Sequence, residues 1–150
     1  MLPLWFALMH LRQTQGAGSL LALMAVVWIA DTAAYFAGRA FGKHRLAPVL
    51  SPKKSWEGAV GGMAAVLVYA LWARHMGWLF QASGVAATLA AACVLTWVSI
   101  GGDLLESWLK RVAGVKDSSN LLPGHGGVFD RVDSMIAVLS VYAAIVSIAS

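Results

Sequence analysis

Four apolar runs constrain this chain before any single motif does. They cover Gly18–Gly38 (interrupted by Asp31), Ala59–Ala73 with an extension toward Phe80, Gly84–Gly102, and Ser134–Ser150. A helix needs about 20 apolar residues, within a range of about 17–25, to cross the hydrocarbon core of a bilayer. The first, third and fourth runs meet that range. The second meets it when Arg74 and His75 sit at the interface and extend their polar ends into water. Hydrophobic residues make up 59% of the 150 residues and charged ones 12%, so little surface is left for a soluble domain. Gly, Ala and Ser recur in all four runs, which suits close packing of helices in lipid. The sequence therefore predicts an all-α, polytopic membrane protein. It would be a single membrane-embedded domain over residues 1–150, with about four transmembrane helices plus short cytoplasmic helices. The segment Met1–Met9 is too short to span alone.

Charge placement orients the spans. Of the eleven Lys and Arg residues, Arg39, Lys43, Arg45, Lys53 and Lys54 fall between the first two runs. Lys110, Arg111, Lys116 and Arg131 fall between the last two, leaving Arg12 and Arg74 on the opposite side. Positive residues stay on the cytoplasmic side of a membrane, so both long polar loops are expected there. Six of the seven acids lie in or beside the same loops, and Asp31 lies within the first run. All the candidate chemistry thus faces one side. This topology puts the N-terminus outside, and the first nine residues have no basic flank of a signal peptide. The expectation is a C-terminal fragment or shortened homologue that lacks an odd number of upstream spans.

Composition narrows the partners. A pI near 9.6 would suit nucleic acid, but so apolar a chain points to a basic membrane protein and to no nucleic acid. Cys93, the single cysteine, lies in an apolar run and reads as a small hydrophobe.

Two stretches carry polar groups that a span would not need. A carboxylate such as Asp31 costs about 2.5–3.5 kcal/mol at the centre of a span, so it faces a bundle interior, a wet cavity or a half-helix end. In "SPKKS", Ser51 is placed to cap a helix with Pro52 at its first position. Lys53 and Lys54 would then crowd a helix N-terminus, which favours a bound anion, although lipid headgroups would satisfy them equally. In "GGDLLESWLKR", Asp103 and Ser107 share one helix face with Glu106 close by. Mg2+ takes one or two carboxylates and completes its shell with phosphates and water, so Asp103 fits as a ligand with Ser107 beside it. The competing reading is a polar cluster that merely ends a span. Lys110 and Arg111 fit headgroups and phosphates alike.

The stretch "KDSSNLLPGHGGVFDRVDS", Lys116 to Ser134, holds a Pro-Gly-His-Gly-Gly turn that excludes regular helix. Its glycines let backbone N–H groups approach an anion. Asp130 and Asp133 follow at the expected start of the last span, where acids suit the helix dipole and a cation. Each part alone also reads as a plain turn or helix start.

Ser107 to Asp133, "SWLKRVAGVKDSSNLLPGHGGVFDRVD", resembles the signature of the phosphatidate cytidylyltransferases (CDP-diacylglycerol synthases). The positions that match are Ser107, Lys110, Arg111, Lys116, Asp117, Ser119, Leu122, Pro123, His125, Gly126, Gly127, Asp130, Arg131 and Asp133. Further matches lie in "DTAAY", "FGKH" and "SPKKSWEG", so the similarity runs from about Trp28 to the C-terminus. Relatives carry additional N-terminal spans.

The resemblance implies that the phosphate of phosphatidic acid attacks the α-phosphorus of CTP, giving CDP-diacylglycerol and pyrophosphate. It implies Mg2+ on carboxylates matching Asp103 and Asp130, with a second cation such as K+. The candidate catalytic residues are Asp103, Ser107, Lys116, Asp117, His125, Asp130 and Asp133, with His125 in a positioning role. Candidate CTP and phosphate contacts are Ser51, Lys53, Lys54, Ser55, Lys110, Arg111, Gly126, Gly127 and Arg131. The implied setting is a bacterial-type inner membrane, with the site facing the cytoplasm and room for a homodimer. The alternatives are an inactive truncated relative or a non-enzymatic membrane protein with Asp31 on an ion path. The acids cluster on one side, which disfavours a path across the bilayer. The D-G-x2-A-R helix pattern of CDP-alcohol phosphotransferases is absent.

Overall fold

The computed structural model describes residues 2–48, 51–79, 84–114 and 129–149. Within them, helices α1 (Leu2–Phe41), α2 (Trp56–His75), α3 (Val85–Val112) and α4 (Phe129–Ala149) form a bundle. A two-stranded hairpin, β1 (Arg45–Ala47) and β2 (Ser51–Ser55), joins α1 to α2. The expected all-α polytopic architecture is what the chain adopts. Helices α1, α2 and α3 are each long and apolar enough to cross a membrane, and the described part of α4, Ser134–Ser147, is a shorter apolar helix.

Helix α1 is longer than the first apolar run because the N-terminal segment is helical too. At Gly16 the backbone leaves helical geometry (φ 83°, ψ 169°), a conformation that a side chain would oppose. That break lets the first turns fold back on the bundle, where Ala7 and Leu11 are buried. His10 on this segment meets Ser147 near the end of α4 at 3.3 Å.

Helix α2 stops short of the expected extension to Phe80. Gly77, at φ 73°, takes up a left-handed turn. Its N–H bonds the Arg74 carbonyl at 3.0 Å, and the Trp78 N–H bonds that of Ala73 at 2.9 Å. This reciprocal pair satisfies carbonyls that the helix end would leave open. Tyr69, Trp72 and Trp78 gather there, with ring centroids 5.9 and 5.0 Å apart, as suits a membrane–water boundary.

The start of α2 corrects a second expectation. Ser51 does not cap a helix, and Pro52 is not its first residue. Ser51–Ser55 is a strand, paired antiparallel to β1 through Arg45↔Ser55 and Ala47↔Ser51. The cap is Ser55, whose Oγ accepts from the Gly58 N–H at 3.1 Å. Both serines suit a cap locally, but pairing with β1 holds the first one extended. Where a helix was expected to start, the chain is still in a hairpin strand.

Packing between helices relies on small residues. Lipid tails are as apolar as leucine, so association depends on close contact rather than on escape from water. Helices α1 and α2 run antiparallel, with Gly58 against Ala34 and Gly38, and Gly62 against Ala30. Further along, the Tyr69 hydroxyl donates to the Ala22 carbonyl at 3.0 Å. The core then fills with Leu23, Val27, Val66, Ala70, Leu95, Val138 and Leu139. Trp28, Phe36, Val68 and Trp97 stay exposed, as lipid-facing positions of such a bundle do.

Candidate functional site

At the end of the bundle that carries the hairpin, a cavity of about 720 Å³ opens between α1, the hairpin, α2 and α3. Helix α1 contributes Asp31, Tyr35 and Arg39. Their spacing of four residues aligns them along one helix face. The Arg39 guanidinium donates to the Tyr35 hydroxyl at 3.3 Å. The hairpin contributes Arg45, Ser51, Lys54 and Ser55, and α3 contributes Thr96, Ser99 and Asp103. Room for the hairpin comes from glycine. A Cβ on Gly38 would lie 3.0 Å from Ser55 Oγ, and one on Gly58 would lie 2.8 Å from the Ala34 carbonyl.

Among the described residues the cavity wall carries three cations, Arg39, Arg45 and Lys54, and two carboxylates, Asp31 and Asp103. Lys54 and Asp103 form an ion pair that ties β2 to α3. At the hairpin base, His44 Nδ1 lies 2.7 Å from Glu57 Oε1. The His44 backbone N–H donates to both Glu57 oxygens at 3.2 and 3.3 Å. The Trp56 N–H returns a bond to the His44 carbonyl at 3.0 Å.

The expected site residues distribute unevenly around this cavity. Asp103, Ser51, Lys54 and Ser55 line it. Ser107 is half-buried one turn beyond Asp103, and its side chain is not among the lining groups. Lys110 Nζ turns to Glu106 Oε1 at 3.2 Å, and Arg111 is exposed in the last turn of α3. Asp130, Arg131 and Asp133 fall in the opening turns of α4, as the sequence predicts, but their side chains lie outside the described ones. So does that of Lys53. Lys116, Asp117, His125, Gly126 and Gly127 lie outside the described residues altogether.

Sequence reasoning missed Arg39, Arg45, Tyr35, His44 and Glu57. The signal for Tyr35 and Arg39 was present in their four-residue steps from Asp31. His44 and Glu57 lie in the matched "FGKH" and "SPKKSWEG" stretches, but their pairing was not legible, because only the hairpin brings them together.

Among the described residues two carboxylates, Asp31 and Asp103, line the cavity. Oxygen donors of this kind fit a hard cation such as Mg2+, which takes one or two carboxylates and fills its shell with phosphate and water.

A bundle of apolar helices with a cationic, carboxylate-bearing cavity at one end defines an integral membrane protein. Comparison with known proteins names the kind. A model of the cytidylyltransferase family matches residues 1–149. The chain is 51% identical over 146 residues to a phosphatidate cytidylyltransferase of Pseudomonas aeruginosa, covering 97% of this chain and 54% of that protein. It is 46% identical over 126 residues to one of Haemophilus influenzae, covering 83% and 44%. It is 44% identical over 135 residues to one of Staphylococcus saprophyticus, covering 87% and 50%. The chain belongs to the cytidylyltransferase family, and it spans about half the length of the curated relatives it matches.

Proposed function

We propose that the chain transfers a cytidylyl group from CTP to phosphatidic acid, releasing pyrophosphate and forming CDP-diacylglycerol. A phosphate oxygen of the lipid bonds to the α-phosphorus of CTP. The bond from that phosphorus to the β-phosphate oxygen breaks, and the electron pair leaves with pyrophosphate. The nucleophile belongs to the lipid, so no side chain has to form a covalent intermediate. Catalysis then rests on positioning two anions against each other and on neutralising their charge.

The observation that carries this reading is the ion pair of Lys54 with Asp103 inside a cavity that Arg39 and Arg45 also line. Lys54 and the two arginines bring phosphates together. Asp103, with Asp130 of α4, would hold Mg2+, which supplies charge neutralisation on phosphate oxygens when bound. A second cation such as K+ would share that task. Lys116, Arg131 and the backbone of Gly126 and Gly127 complete the anion contacts in this reading, with His125 orienting a phosphate. The site faces the cytoplasm of a bacterial inner membrane, in line with the positive residues of both polar loops.

The experiment is a transfer assay with labelled CTP and phosphatidic acid, on membranes carrying the chain alone or joined to the N-terminal half of the Pseudomonas aeruginosa relative. Mg2+-dependent formation of CDP-diacylglycerol that Asp103→Asn and Asp130→Asn each abolish is expected. Full turnover in either variant would overturn the assignment of that carboxylate. Silence from both forms would overturn the activity.

A further inference from the structure

We infer that Glu57, through His44, is a positioning residue that aims the Lys54 hairpin at Asp103. This inference rests on the proposed transfer reaction for its consequence, though not for its geometry. Lys54 sits on a strand of five residues, paired to a strand of only three. An isolated two-stranded hairpin is marginal in water, so something else must hold it against the bundle. The register slips between Arg45 and Ala47, so the ladder alone places Lys54 loosely.

The hold is at the base. Glu57 is the second residue of α2, and its carboxylate accepts the His44 backbone N–H at 3.2 and 3.3 Å while meeting the His44 ring at 2.7 Å. With the Trp56 N–H on the His44 carbonyl, the entry to β1 is pinned to the start of α2 on both polar groups of one residue. The Ser55 cap fixes the exit of β2 on the same turn of helix. Both ends of the hairpin therefore move with α2, and Lys54, next to the cap, reaches α3 from a fixed origin. Glu57 does not line the cavity, so its part is to hold rather than to touch substrate. The His44 side chain is largely exposed, which makes the backbone bond to Glu57 the more important half of the clamp.

The test reads position first and turnover second. In full chains carrying Cys93→Ala, the pair Lys54→Cys and Asp103→Cys is treated in membranes with a short bifunctional thiol reagent. Rapid cross-linking is expected with Glu57 in place and with Glu57→Gln, which keeps a carbonyl acceptor for the His44 N–H. Glu57→Ala is expected to lower the cross-linking rate about tenfold and, in chains that keep Lys54 and Asp103, kcat/KM for CTP by about 10- to 100-fold, since a misplacement of about 1 Å can cost that much. Cross-linking in Glu57→Ala at the rate seen with Glu57 would overturn the inference, whatever the turnover. If Glu57→Ala fails to reach the membrane, Glu57→Leu carries the same comparison, because it too removes the acceptor of the His44 N–H and leaves Ser55 to cap α2. Unchanged cross-linking there would overturn it equally. Because this readout needs no CTP, a failure of the transfer reaction and a failure of the clamp are seen separately.

Discussion

Lys54 on β2 and Asp103 on α3 form an ion pair within the cavity, joining the two polar regions of the chain at one point. Both side chains keep about a quarter to a third of their surface exposed (26% and 35%). A pair in that setting contributes only about 0.2–1 kcal/mol to stability. Lys54→Met is therefore expected to leave the unfolding temperature in detergent within a few degrees of the parent. In the proposed reaction, loss of a cation that meets the phosphates is expected to cost far more, about 100-fold in kcat, by analogy with removing one preorganised donor. Measuring both on the same preparation separates the roles. A large fall in stability with little loss of rate would mean that the pair is structural.

The spanning helices were legible because a bilayer sets a length that apolar runs must meet, and Gly18–Gly38 and Gly84–Gly102 met it. Helix ends were less so. Hydropathy drops at Asp103, but the helix continues to Val112, because the charged groups face a cavity or each other while the backbone bonds run on. Ser51 and Ser55 look alike locally, and only strand pairing with Arg45–Ala47 decides which one caps α2. Asp103 was recognisable as a site residue from its own surroundings. Lys54 was legible too, as a phosphate contact, but its pairing with Asp103 was not, since nothing in either stretch encodes the approach of β2 to α3.

The α1–α2 interface should be intolerant of even one methyl group. A Cβ on Gly62 would stand 2.9 Å from the Ala30 carbonyl, and one on Gly61 would stand 2.3 Å from Ala37 Cβ. Backbone must shift to admit either, so Gly62→Ala and Gly61→Ala are each expected to cost about 1–3 kcal/mol. Gly18, in helix α1, has nothing within 4 Å of such an atom. Gly18→Ala is expected to be neutral or to gain about 0.5–1 kcal/mol from the lost flexibility of glycine. Thermal unfolding of the three variants in one detergent checks the order, and equal stabilities would refute the close-packing account.

Orientation can be read by labelling single cysteines in a Cys93→Ala chain. Lys43 and Gly84 are both exposed, at opposite ends of the path from the hairpin through α2. With both basic loops cytoplasmic, Gly84→Cys is expected to react with a membrane-impermeant maleimide in intact cells. Lys43→Cys should react only after the membrane is opened. The reverse pattern would invert the topology and move the cavity to the other face.

Lys110 suits a phosphate contact by sequence but turns in the structure to Glu106. The Glu106 side chain is 7% exposed and that of Lys110 is 20%, with 3.2 Å between them one helical turn apart. This pair is more buried than Lys54–Asp103, so the balance of effects should reverse. Taking away one partner leaves a desolvated carboxylate with less compensation, at about 1–3 kcal/mol. Lys110→Met is accordingly expected to lower stability clearly. The double variant Glu106→Gln, Lys110→Met should recover much of the loss, because replacing both members removes the uncompensated charge. If the single variant instead keeps its unfolding temperature but loses affinity for CTP, then Lys110 leaves Glu106 to meet a phosphate. The structural role inferred from the ion pair would then be wrong.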